Sequence, residues 1–156
     1  MRMFRRALAT TAASAAFITT AGVALPSASA EGRSTAPVVR EVAEGRQEGP
    51  VRVDVDGPVQ VNYRKITIPP GGGTGQHCHY GELVGVVKKG KLTHYAPVHP
   101  GGVRTFKAGE SIVEGSGYVH EGRNEGKKDV VLWVTYMTPE GKPLAEPDLS
   151  KCDAKR

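Results

Sequence analysis

Two cysteines, one tryptophan and an aromatic share of 6% are what this 156-residue chain has least of. Two cysteines admit a single intramolecular pairing, Cys78 with Cys152. That bridge would close a long loop and stabilise the fold by roughly 2–4 kcal/mol, the alternative being two unpaired thiols. Beyond residue 45 no stretch has a convincing helical period, and there is no internal repeat or heptad seam. No nucleophile elbow supports a Ser-His-Asp arrangement. No glycine loop leads into a helix in the way that cradles phosphate. Basic residues interleaved with aromatics are also missing, which leaves a nucleic-acid partner without support.

The N-terminus reads as a targeting segment. Arg2, Arg5 and Arg6 precede a small, apolar run from Ala7 to Leu25, and Ala28-Ser29-Ala30 ends it. A basic start, an apolar middle and a small-residue end describe a secretory signal over residues 1–30, cleaved near Ala30, and Arg5-Arg6 also permits a twin-arginine signal. The run is too short and too rich in threonine and serine for a membrane span, so no membrane partner is expected after cleavage. Removing it changes the charge. The chain has 21 Lys+Arg and 16 Asp+Glu; losing three arginines leaves 18 against 16, or +2. The remaining residues suffice for one domain with one core in an extracellular setting, where a disulfide is allowed.

Residues 31–50 are polar and read as a linker or an edge element packed outside the domain. From Val51 short β-type runs alternate with glycine- and proline-rich turns: VRVDV, VQVNYRKITI, LVGVV, KLTHY, VRTF, SIV, YVH and DVVLWVTYM. Many short strands so spaced predict an all-β sandwich or barrel over residues 51–138, with a C-terminal tail at 139–156. The last run, Val130 to Met137, is apolar at nearly every position. Its second face is expected to meet a partner subunit, making a homodimer, or the folded-back N-terminal segment.

The chemistry concentrates in GGGTGQHCHYGELVGVVKKG, Gly71 to Gly90. Residues two apart on a strand share a face, so His77 and His79 point one way and Cys78 the other. Two imidazoles so placed can hold a metal from two corners, although a lone His-x-His is a weak signal. Downstream, GESIVEGSGYVHEGRN places Gly115 and Gly117 before His120 and Asn124. The two segments together, over roughly Val59 to Met137, resemble the paired signature motifs of the cupin superfamily, with Gly115 where that family usually has proline. The wording Thr-Gly-x-His-x-His-x-Gly and the C-terminal cysteine are similar to small secreted single-domain cupins.

The resemblance implies a jelly-roll β-barrel of two sheets with a divalent metal held at one end. His77, His79 and His120 match the family's histidine ligands. Its fourth ligand, a glutamate, falls at positions occupied here by Leu83 and Val84, and the nearest acid is Glu82. Alternation from His79 turns Glu82 outward, unless a bulge at Gly81 re-aims it. A three-histidine site and a four-ligand site with Glu82 both stand. Iron, manganese, nickel, copper and zinc all suit such donors. Tyr118 shares a face with His120 and is a candidate for lining the substrate pocket. Of Tyr95 and His94, neighbours on one strand, at most one sees the interior, and His99 reads as an exposed loop residue. Asn124 reads as a turn cap.

These residues support two functions. In one, a secreted metal-dependent oxygenase, isomerase or lyase acts on a small oxygen-rich molecule. In the other, a non-catalytic module binds a small ligand such as a sugar or an organic acid.

Overall fold

A computed structural model describes residues 37 and 39–153, and the signal segment expected over residues 1–30 lies outside the described residues. Every described strand belongs to the compact unit Val39–Arg156. Seven strands form in the order β1 (Val59–Ile68), β2 (Glu82–Lys89), β3 (Lys91–Tyr95), β4 (Val103–Lys107), β5 (Ser111–Glu114), β6 (Glu121–Arg123) and β7 (Val130–Pro139). They make two antiparallel sheets, β1-β7-β2-β5 and β4-β3-β6. Leu92 and Phe106 of the smaller sheet share one core with Ile68, Leu83, Val87, Ile112, Leu132 and Val134 of the larger. The fold is therefore all-β, two sheets around one apolar interior in the manner of a jelly roll, without continuous hydrogen bonding from sheet to sheet.

Alternation decides which side chains enter that interior. On β7, Val130, Leu132, Val134 and Tyr136 are buried while Val131, Trp133 and Met137 are half-buried. An apolar run on both faces thus still alternates in burial. Its outer face continues onto β1, where Val61 pairs with Met137 and Tyr63 with Thr135, both β1 residues being exposed. The stretch VRVDV, expected as a strand, is not one: Val51 and Val53 are about half exposed and no neighbour pairs with them. Upstream, Arg46 bridges to Glu110 at the edge of β5, with Ser111 N–H donating to the Arg46 carbonyl at 2.9 Å.

Gly81 has a different task from the bulge expected of it. A Cβ there would stand 2.0 Å from the Met137 carbonyl oxygen, so only glycine lets β2 begin this close to β7. The register shift within β2 falls instead between Val87 and Lys89.

The tail is tied down at several points. Cys78 and Cys152 form a disulfide across a sequence separation of 74. Cys78 and Glu146 exchange backbone hydrogen bonds at 3.1 and 2.9 Å, and Asp153 N–H donates to the Gly117 carbonyl at 2.8 Å. Among the described residues no helix is long and apolar enough to cross a membrane.

Asn124, 1% exposed, does more than cap its own turn. Its Nδ2 donates to the carbonyls of Ile68 (2.8 Å) and Lys128 (2.9 Å), while Oδ1 accepts from Gly126 N–H. It fastens the β6–β7 loop to the end of β1. Asn124→Ala should lower unfolding free energy by about 2–3 kcal/mol in urea titration, because it strands buried carbonyls. Cys152→Ser frees a long loop and should cost about 2–4 kcal/mol. That loss would appear in a thermal melt as a fall on the order of 10 °C.

Candidate metal centre

Three short segments bring the histidines together. The chain turns through Gly71 (φ 77°) and runs alongside β6, with Gly73 bridged to Arg123 and His77 to His120. His77 N–H donates to the His120 carbonyl at 3.1 Å and His120 N–H returns the bond at 2.9 Å. Period-two alternation then places His77 and His79 on the inner side and Cys78, 2% exposed, on the outer side, where the disulfide takes it. The ring centroids lie 4.9 Å apart for His77 and His79, 4.5 Å for His77 and His120, and 4.8 Å for His79 and His120.

Each of these imidazoles is oriented by a backbone carbonyl. Nδ1 lies 2.8 Å from the Gly75 oxygen in His77, 2.6 Å from the Leu144 oxygen in His79 and 3.1 Å from the Tyr118 oxygen in His120. A carbonyl only accepts, so each Nδ1 carries the proton and donates it. That fixes the tautomer and turns every Nε2 lone pair inward, the arrangement in which histidine ligands are normally held. Donor atoms of the three residues lie within 4.8 Å of one another.

The carboxylate at the centre is Glu114, the last residue of β5. Its Oε2 stands 3.1 Å from His79 Nε2 and 3.3 Å from His120 Nε2, and those two nitrogens are 3.2 Å apart. Two donors each about 2.1 Å from one ion stand roughly 3.0 Å apart at a right angle and 3.4 Å apart at a tetrahedral angle. The three separations fall within that range. Since Nδ1–H is already committed, an Nε2 facing Glu114 carries either a second proton or a cation. Positive charge belongs between these groups, and the residues fit a divalent metal.

The titration behaviour has the same origin. Burial opposes a charge on Glu114, but hydrogen bonds from His120, His79 and His94 outweigh it and hold the carboxyl well below its ordinary range. Burial likewise works against a proton on His120, yet the facing Glu114 carboxylate raises its pKa. His77 has no such direct partner, and burial lowers its pKa. Tyr118 is pushed up to about 12, chiefly by burial.

Glu82 does not join the cluster. It pairs with Met137 on the face of β2 opposite Leu83, and a Cβ at Gly115 would lie 3.5 Å from its Oε2. The glycine at the position where proline is usual therefore sits against this carboxylate. Tyr118 is 5% exposed, its ring 5.2 Å from that of His120 and its hydroxyl accepting from Gly115 N–H at 3.2 Å. It packs on the histidine and is not among the residues lining the adjoining cavity.

That cavity measures about 40 Å³ and is bordered by His77, Glu114 and Thr74 with an aliphatic wall that includes Leu83, Leu92 and Ile112. Two further residues belong here that the sequence motifs do not mark. His94 is fully buried, with Nε2 3.2 Å from Glu114 Oε1, while Tyr95 points outward. His99 is half-buried rather than exposed, and its Nε2 lies 2.8 Å from His94 Nδ1. The signal for both Glu114 and His94 was alternation: Glu114 lies two residues from Ile112, and His94 two from Leu92, each beyond a core aliphatic.

Residues 64–136 match a family model described as a cupin domain. Solved structures of similar shape include one described as a predicted oxalate decarboxylase from Thermotoga maritima (23% identity, TM-score 0.43, 49% of this chain and 64% of that one). An oxalate oxidase shares 28% identity over 48% of this chain and 40% of its own, with a TM-score of 0.43. The DMSP lyase DddQ from Ruegeria pomeroyi DSS-3 shares 18% over 55% of this chain and 41% of its own, with a TM-score of 0.47. The chain thus spans between 40% and 64% of the length of these proteins. No curated protein matches its sequence.

Glu114→Gln keeps the side chain's size but removes its charge. It should weaken binding of a divalent transition metal at least tenfold in competition titrations, with the folded circular-dichroism spectrum retained.

Proposed function

We propose that this chain, which belongs to the cupin superfamily, holds one divalent transition metal through Nε2 of His77, His79 and His120 together with the Glu114 carboxylate, and uses it on a small oxygen-rich molecule. The observation that carries this reading is the shared orientation of the three imidazoles. Each gives Nδ1–H to a carbonyl, and His79 and His120 turn Nε2 toward one buried carboxylate while His77 joins them within the histidine cluster. Imidazole with a carboxylate suits iron, manganese, nickel, copper or zinc. Such an ion supplies a Lewis acid that polarises an oxygen-bearing substrate. Glu82, the acid nearest in sequence to the family's glutamate position, is replaced in this role by Glu114.

The chain's own residues set the rest of the chemistry. Glu114 offsets the charge of the ion and stays ionised in doing so. The aliphatic wall of the cavity keeps bulk water from the reacting atoms. About 40 Å³ holds about three or four waters, since each needs roughly 10–15 Å³ on the same measure. A substrate seated there has only a few non-hydrogen atoms in the cavity. That size argues against the second reading, a non-catalytic module for a sugar, more than against one for a very small organic acid. The Cys78–Cys152 disulfide supports an exported protein, because such bonds persist in oxidising compartments.

Metal analysis of untagged protein, grown in metal-replete medium, tests the reading. About one equivalent of a transition metal is expected in the wild type, and less than a tenth of that in His77→Ala and His120→Ala. A folded wild type without metal would overturn it. Turnover of small carboxylates or diketones by the metal-loaded protein separates the enzyme from the binding module.

A further inference from the structure

His94 is the remaining buried imidazole, and three observations set it apart. It is 0% exposed; its Nε2 has no aligned hydrogen-bond partner; and that atom lies 3.2 Å from Glu114 Oε1, the carboxylate oxygen that does not face His79 and His120. A buried ring nitrogen this close to a carboxylate needs a proton or a cation between the two. Its ring centroid is 5.2 Å from that of His120, and donor atoms of His94, Glu114 and His120 lie within 4.8 Å of one another.

The other ring nitrogen repeats the pattern of its neighbours. In His77, His79 and His120 the outer Nδ1 is engaged by a carbonyl, which leaves Nε2 as the atom turned into the cluster. In His94 the outer Nδ1 is engaged at 2.8 Å by His99 Nε2. An imidazole nitrogen either donates or accepts, so His99 can take the Nδ1 proton and leave His94 Nε2 with its lone pair. Three imidazoles, His79, His120 and His94, then present Nε2 to the two oxygens of one glutamate, with His77 beside the first two.

We propose that His94 is a further donor of the metal centre, placed on the Oε1 side of Glu114, and that His99 is the positioning residue that frees its Nε2. The inference rests on the metal-binding reading above. It makes the donor set four histidines and one carboxylate, drawn from the His77–His79 segment, β3, β5 and the His120 segment. A cobalt(II) ion held by this set carries a nitrogen ligand that neither His-x-His nor the downstream motif supplies.

Cobalt(II) added to metal-free protein is the probe, with affinity and visible ligand-field bands as readouts. His94→Gly is expected to weaken binding at least tenfold and to shift the bands, and added imidazole should restore both. His99→Ala, a change at a half-buried loop position, should weaken binding about tenfold, with His99→Gln restoring it through an amide that accepts the same proton. The His99 pair decides the matter where His94→Gly fails to fold. Wild-type affinity and bands in His94→Gly, or in His99→Ala, would overturn the proposal while cobalt loss in His77→Ala left the metal centre standing. A wild type that binds no cobalt would overturn both.

Discussion

Everything at the centre of this protein depends on one buried carboxylate that must be surrounded by positive charge. Glu114 is 8% exposed, among aliphatic residues on one side and imidazoles on the other. An isolated carboxylate in such a place would take up a proton. Here the histidines reverse that preference, and the cost of burial becomes an attraction for a cation. The sheets exist in the arrangement that permits this: β5 delivers the carboxylate, and the two segments bridged at His77 and His120 deliver rings from the opposite side.

Stability and site are joined through the tail. Leu144 places its carbonyl on His79 Nδ1, Glu146 pairs with the backbone of Cys78, and Cys152 closes the disulfide onto the same residue. The segment that presents His77 and His79 is thus held on its outer side by residues 144–152. A loosened tail would free His79 to rotate, because the carbonyl that fixes its tautomer belongs to that tail. The disulfide therefore bears on ligand geometry as well as on chain entropy, and the alternation that turns Cys78 outward is the same one that turns His77 and His79 inward.

The two-residue period made much of this legible in the sequence. VQVNYRKITI and KLTHY are strands over their full lengths, and the direction of Cys78 and of Leu83 followed from alternation. The motif spacing brought His77, His79 and His120 to one place because it encodes two neighbouring segments at the mouth of one barrel. Glu114 and His94 were harder to find. His94 comes from a strand that carries no motif and Glu114 from a position the downstream motif does not mark, and a polar residue on a core face declares itself only once the core face is known. VRVDV went the other way: it has the period of a strand but no neighbour to pair with, and pairing rather than pattern completes a strand. His99 lies in a loop, where no period assigns a direction at all.

The position of the carboxylate also limits what the centre can do. His77 and His79 lie on the segment that leads into β2 and outside the named strands. Coming from β5, Glu114 faces them from a strand of the larger sheet and borders the cavity with His77. The residues bordering that cavity combine a carboxylate and an imidazole with leucine and isoleucine. Any chemistry at this site depends on those side chains more than on the fold, since one fold serves many reactions.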